Sequence, residues 1–144
     1  LARPYPRSMK HRVNEIKVRE RFRPFAGSIL EEYVHEYFSV PGAGHHSPFM
    51  NFCFSAVPRR RDEMSAIVHA DESTRVQTVS KDGSRFRRLL ETYYMLTGSS
   101  CVLNTSFNLK GEPIVETPAQ ATLDFLKTKM DALIIGDYIV ERRT

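Results

Sequence analysis

Cysteine is scarce in this chain of 144 residues: Cys53 and Cys101 are the whole complement. Two thiols cannot build a disulfide framework. Both stand in apolar runs, Phe52-Cys53-Phe54 and Cys101-Val102-Leu103, so both are expected to be buried free thiols. A reducing, cytoplasmic setting is the matching expectation. Long apolar runs are missing too. None approaches the roughly 20 residues that a membrane-spanning helix needs, so no membrane role is expected. The basic start, Leu1-Ala2-Arg3-Pro4-Tyr5-Pro6-Arg7, has no apolar stretch behind it and does not read as a signal peptide. Leu1 stands where a chain would begin with methionine, which points to a piece of something longer. Repeats and low-complexity segments are also lacking.

What is present fits one soluble globular domain with a single core: 41% apolar and 26% charged residues. The formal charge is +4, and arginine outnumbers lysine. A guanidinium offers a planar fork of donors that matches phosphate or carboxylate two atoms at a time, so the bias points to an anionic ligand. It does not distinguish a nucleotide, a phosphate ester and RNA.

Periodicity places the elements. Met9, Val13 and Ile16 recur at helical spacing, and this helix is predicted to end near Lys17–Arg19. A strand with an irregular start is predicted from Phe22 to Leu30, Pro24 lying at its beginning or edge. Glu31 to Phe38 reads as a short helix, 39–48 as a loop, and Phe49 to Val57 as a buried strand. Residues 59–63 read as a charged turn or short helix. Arg75 to Val79 alternates as a strand does. Ser84 to Thr97 is predicted as a helix with Phe86, Leu89, Leu90, Tyr93 and Tyr94 on one face, stopped by Gly98. Ser100 to Leu103 is a short strand. Thr117-Pro118 opens a helix whose apolar side is assigned to Leu123, Phe125 and Leu126. Strands at Ala132–Ile135 and Tyr138–Val140 flank the turn Gly136-Asp137. Mixed strands and helices in one chain predict an α/β fold, a twisted mixed sheet with helices packed on its faces.

Three segments carry candidate chemistry. In Lys17-Val18-Arg19-Glu20-Arg21-Phe22-Arg23, an extended backbone would put Arg19, Arg21 and Arg23 on one face, where cations repel unless an anion lies among them. A solvated basic edge is the plainer alternative. In His69-Ala70-Asp71-Glu72-Ser73-Thr74-Arg75, a polar turn puts Arg75 at the mouth of a strand, and an ordinary surface turn would look similar. In Leu103-Asn104-Thr105-Ser106-Phe107-Asn108, an apolar strand ends in amides and hydroxyls, more of them than a turn requires. Ligands usually bind beyond strand ends in open α/β sheets.

Together these segments resemble the C-terminal domain of the O-carbamoyltransferase family. The resemblance is carried by Asn14-Glu15-Ile16-Lys17-Val18-Arg19-Glu20 with Arg23-Pro24-Phe25-Ala26, by His69 to Arg75, and by Leu103 to Asn108 with Gly111-Glu112-Pro113-Ile114-Val115. Thr117-Pro118, Asp131-Ala132-Leu133 and Gly136-Asp137 fit as well. The family includes nodulation-factor carbamoyltransferases and enzymes that carbamoylate tobramycin and cephalosporins. The resemblance implies a YrdC-like fold over residues 1–144, similar to threonylcarbamoyl-AMP synthase. It also implies a separate N-terminal domain, outside this sequence, that holds a metal ion and transfers the carbamoyl group to a hydroxyl. The part in hand would make carbamoyl-adenylate from carbamoyl phosphate and ATP, with magnesium entering on the nucleotide.

By the same resemblance, Lys17, Arg23 and Arg75 are the candidate catalytic cations. Arg19, Asn104, Ser106 and Asn108 are the candidate ligand-binding residues. Attack on an α-phosphate builds charge on phosphoryl oxygens, which fixed cations offset without a dedicated acid or base. Three positions depart from the family pattern: Gly27 where proline is usual, Ala70 where valine is usual, and Glu72 where glycine is usual. Glu72 adds a negative charge beside an expected anion site.

No metal site of the chain's own is expected, since adjacent His45 and His46 rarely share one metal and His69-x-Asp71 lacks further ligands at suitable spacing. Two other readings stay open, a basic RNA-binding module and a catalytically degenerate structural fragment. Nucleic acid is not the expected partner, because the aromatics fall at core spacing and no stacking motif is present.

Overall fold

A computed structural model describes residues 1–42 and 46–142. The chain divides into two compact units. Leu1–His11 and Pro24–Thr105 form the first, and Arg12–Arg23 and Ser106–Thr144 the second. The helix α1, Ser8–Ile16, gives its first turn to one and the remainder to the other.

The first unit is built on a mixed sheet of five strands: β1 (Ala26–Leu30), β2 (Phe38–Ser39), β3 (Phe52–Ala56), β4 (Ser73–Val79) and β5 (Cys101–Asn104). Their order is β2-β3-β4-β1-β5, with β1 and β4 parallel and all other neighbours antiparallel. β1 is buried along its whole length, as the central partner of β4 and β5. Register decides the faces, because residues in register point the same way and alternate along each strand. One face carries Gly27, Ile29, Val76 and Leu103. A Cβ at Gly27 would stand 2.6 Å from Cδ1 of Ile67, the movable end of a side chain.

The opposite face has two halves. Leu30, Val79 and Val102 pack with Leu90 of the helix α3, Arg85–Thr97, whose Phe86, Tyr93 and Tyr94 close around them. Ser84 caps α3 by accepting from the Arg87 amide, and Gly98 ends it at φ 73°, a left-handed value that glycine adopts freely. The other half of the face is polar and carries Cys53, Arg75, Ser28, Gln77 and Asn104.

Arg87 is a structural ion at the start of α3. It is only 2% exposed, donates to both carboxylate oxygens of Glu32 at 2.6 and 2.8 Å, and also reaches Glu91 and the Val79 carbonyl.

The second unit holds the helix α4, Pro118–Lys127, and the hairpin of β6 (Ala132–Ile135) and β7 (Tyr138–Glu141). Thr117 and Gln120 close a reciprocal cap at the start of α4, with Pro118 at the first helical position. Ala121, Phe125 and Leu133 form its core, with Phe107, Val115, Met130, Ile135 and Val140 packed around them.

Several expectations need correction. The predicted strand does not start at Phe22; it begins at Ala26. Glu31–Tyr33 is a 3-10 turn, the helix α2 covers only Val34–Tyr37, and Phe38 already belongs to β2. The stretch from Phe49 is not a buried strand: β3 starts at Phe52, and Phe52, Cys53 and Ser55 face outward. Cys53 is therefore an exposed thiol, whereas Cys101 is buried and its thiol is pushed up to about 12 by burial. On α3, Leu90 is buried but Leu89 is partly exposed. On α4, Leu123 and Leu126 are exposed, and Ala121, Asp124 and Phe125 take the buried side. Gly44 and His45 of the loop lie outside the described residues.

Candidate functional site

In the second unit, α1 ends in a turn that reverses the chain and arrays its cations. The Val18 amide donates to the Glu15 carbonyl and the Arg19 amide to the Asn14 carbonyl, with Val18 left-handed at φ 53°. Those two bonds make a Schellman end, where glycine is the usual occupant. A β-branched residue there is strained, and such strain persists only when its surroundings enforce it. Asn14 supplies the enforcement. It is fully buried, and its amide donates to the carbonyls of Arg21 and Arg23, both at 3.2 Å. Its Oδ1 accepts from Nε of Arg19 at 2.6 Å.

The turn explains why Arg19, Arg21 and Arg23 do not line up as on a strand. Arg19 points back to Asn14, Arg21 pairs with Glu15 at 2.8 Å, and Arg23 lies 3.9 Å from Glu20. Lys110 also pairs with Glu20 at 2.6 Å.

Lys17 is the centre of this group and is 7% exposed. Its ammonium donates to the Ser106 carbonyl at 2.6 Å, the Asn108 carbonyl at 2.8 Å and Asn108 Oδ1 at 3.1 Å. The Ser106 hydroxyl donates to the same Oδ1 at 2.6 Å. Lys17, Ser106 and Asn108 are thus brought together, and the three hydrogens of the ammonium are all engaged. Burial, and then repulsion from Arg19 and Arg23, lowers Lys17 to about 8. Asp124 opposes that shift. Its carboxylate is buried, and Oδ2 has no hydrogen-bond partner among the described residues.

Arg75 and Asn104 belong to the first unit, on the polar half of the sheet face. Arg75 is exposed on β4, beside Ala26 of β1 on one side and Cys53 of β3 on the other. Asn104 ends β5, also beside Ala26. Its amide nitrogen donates to Ser28 Oγ at 2.8 Å and to Gln77 Oε1 at 3.3 Å. Ser28 donates to the same Oε1 at 2.7 Å, and Gln77 Nε2 donates to the Pro48 carbonyl at 3.1 Å. Ser28 and Gln77 went unnoticed in the sequence. Only the cross-strand register β4-β1-β5 reveals them, since serine and glutamine in strands carry no signal of their own.

The turn before β4 is held by its own side chains and by Phe25 and Arg61. Asp71 accepts from the amide and hydroxyl of Ser73, and His69 meets the Phe25 carbonyl and Ser73 Oγ. Glu72 is left-handed at φ 66°, which accounts for the glycine usual at this position. Both of its carboxylate oxygens are held by Arg61, so its charge is answered locally. Among the described residues, no three His, Cys, Asp or Glu side chains group as a metal site. No described helix is long and apolar enough to cross a membrane.

The chain is 40% identical over its whole length to nodulation protein NolNO of Sinorhizobium fredii. It is 39% identical over 99% of its length to nodulation protein NolO of Bradyrhizobium diazoefficiens. Over 78% of its length it is 39% identical to nodulation protein U of Rhizobium tropici. It spans 22%, 26% and 19% of these three proteins, respectively. A family profile described as carbamoyltransferase C-terminus matches residues 1–142. The chain belongs to the carbamoyltransferase C-terminal family.

Proposed function

We propose that this chain is the carbamoyl-activating part of an O-carbamoyltransferase, binding carbamoyl phosphate and ATP to form carbamoyl-adenylate. The observation that supports this most is the crowding of Lys17 by Arg19 and Arg23 in one enforced turn. Like charges held close together raise the free energy of the folded chain, and a bound phosphate lowers it again. Arg75 supplies a further exposed guanidinium, on the polar half of the sheet.

Carbamoyl-adenylate keeps the carbamoyl group and the AMP moiety. The balance therefore consumes one water and releases pyrophosphate from ATP and phosphate from carbamoyl phosphate. The bond formed joins a carbamoyl oxygen to the α-phosphorus, and the bond broken there leads to pyrophosphate. Lys17, Arg19 and Arg23 in the second unit, and Arg75 in the first, would each act by neutralising charge on phosphoryl oxygens. Magnesium would arrive on the nucleotide, whose phosphates supply most of its ligands. Transfer to an acceptor hydroxyl would belong to a separate N-terminal domain of the longer protein, with its own metal ion.

Isothermal titration of the chain with ATP and with carbamoyl phosphate, over a salt series, tests the reading. Saturable binding of both supports it. Absence of both, together with RNA binding that falls steeply with salt, would favour a nucleic-acid module instead.

A further inference from the structure

We propose that Asp124 is a positioning residue for the anion site of the second unit: its buried carboxylate acts through Lys17, keeping that side chain an ammonium. The proposal rests on the phosphate-binding reading above and adds a residue that touches no ligand.

The path from Asp124 to Lys17 runs through Phe107. Lys17 donates to the carbonyls of Ser106 and Asn108, one on each side of Phe107. Phe107 packs on the cluster of Ala121, Phe125 and Leu133, and its own carbonyl accepts from the Val115 amide at 2.9 Å. Asp124 lies on the same turn of α4, next to Phe125, and is 4% exposed. The loop that Lys17 braces is thus seated on the part of α4 that buries Asp124.

A carboxylate is an expensive choice for that position. The neighbouring leucines, Leu123 and Leu126, are left exposed while the acid is buried. A buried carboxylate costs stability unless a cation answers it, and Oδ2 has no hydrogen-bond partner among the described residues. Thr128 does not answer it, because its hydroxyl donates to the backbone carbonyl of Asp124 at 2.7 Å. Other cations around α4 are engaged elsewhere. Arg142 donates to the Phe125 carbonyl at 2.6 Å, Lys127 lies 3.7 Å from Glu112, and Arg12 pairs with Asp131 at 2.5 Å. Lys17 is the cation whose charge Asp124 favours.

Lys17 needs that support. Its three hydrogens go to neutral oxygens, which bring no compensating charge. Burial favours the neutral amine, and so do the charges of Arg19 and Arg23. A neutral amine has no charge to set against a phosphate. An opposite charge inside the low-dielectric interior shifts that balance back toward the ammonium.

The test removes the charge of Asp124 and keeps its shape, in Asp124→Asn. Asp124→Ala, which suits a helix and adds no bulk, is measured beside it in case the amide packs badly. Two quantities are followed from pH 6 to 9: the titration of Lys17 by carbon-13 NMR of the lysine-labelled chain without ligand, and the affinity for carbamoyl phosphate. In the variants the Lys17 midpoint should move to lower pH. Affinity should fall roughly three- to tenfold at pH 8 and stay within about twofold at pH 6. A purely structural role would change stability and lower affinity alike at every pH, with the midpoint in place. An unmoved midpoint in a folded variant would overturn the proposal. A moved midpoint with an unchanged affinity profile would overturn its link to the anion. If the unaltered chain does not bind carbamoyl phosphate, the functional reading fails, and the ligand-free midpoint still decides whether Asp124 holds Lys17 charged.

Discussion

Lys17 holds Asn108 twice, through the backbone carbonyl at 2.8 Å and the side-chain Oδ1 at 3.1 Å. The lysine is therefore a brace for the 106–108 loop as well as a charge. Lys17→Met should remove both roles at once. It leaves the Ser106 and Asn108 carbonyls without this donor, while Asn108 Oδ1 keeps the Ser106 hydroxyl, and each partly buried unsatisfied group costs about 1 kcal/mol or more. Urea denaturation should show a loss of about 2–3 kcal/mol by that reckoning, and titration should show no phosphate binding.

Lys17 also sets a pH dependence. Its folded value of about 8 lies below the ordinary 10.5, so the folded chain sheds this proton first. The unfolded chain binds more protons between those values, and stability should rise with pH across that window. Anion affinity should do the opposite. A bound phosphate favours the charged lysine, so affinity should be flat below pH 8 and fall above it. Titrations at pH 7, 8 and 9 check this, and a flat profile in the same chain would disconnect Lys17 from the anion.

Arg75→Ala should leave the fold intact, because Arg75 is exposed and its side chain makes no hydrogen bond among the described residues. Loss of a charge-assisted contact should weaken phosphate binding roughly tenfold to a hundredfold. Thermal unfolding and calorimetry on the same sample separate the two effects.

Glu72→Gly should be neutral or slightly stabilising. The left-handed backbone at φ 66° costs a side chain about 1 kcal/mol relative to glycine, and the exposed pair with Arg61 returns less than that. A clear loss of stability would show that the Arg61 pair matters more than the strain.

Arg87→Met should destabilise the first unit by about 3–5 kcal/mol, since it strips a buried ion from Glu32, Glu91 and the Val79 carbonyl. Glu32 gives the acid side of the same network. Its hydrogen bond to Arg87 holds it below the usual carboxylate range. The stability it contributes is complete above about pH 4.5 and is lost as pH falls through its lowered folded value. Acid unfolding of Arg87→Met should lack that component.

Elements built from local signals were legible before the structure. Thr117-Pro118 opens α4, Gly98 closes α3, and Gly136-Asp137 turns the last hairpin. What escaped the sequence depends on distant partners. Residues 19–23 look extended until the buried amide of Asn14 ties their carbonyls into a turn. Leu123 and Leu126 look like core, yet Asp124 takes the buried position between them. Ser106 and Asn108 stand out together in one segment, but the hydrogen bonds that Lys17 gives them span 89 and 91 residues of chain and have no local signal. Ser28 and Gln77 could not be named at all, because only strand register sets them beside Asn104.

The most direct measurement is pyrophosphate release by this chain with ATP, magnesium and carbamoyl phosphate, read separately from any carbamoylated acceptor. Pyrophosphate release should depend on carbamoyl phosphate and disappear in Lys17→Met, with no carbamoylated product. Carbamoylated product from this chain alone, or pyrophosphate release indifferent to carbamoyl phosphate, would contradict it.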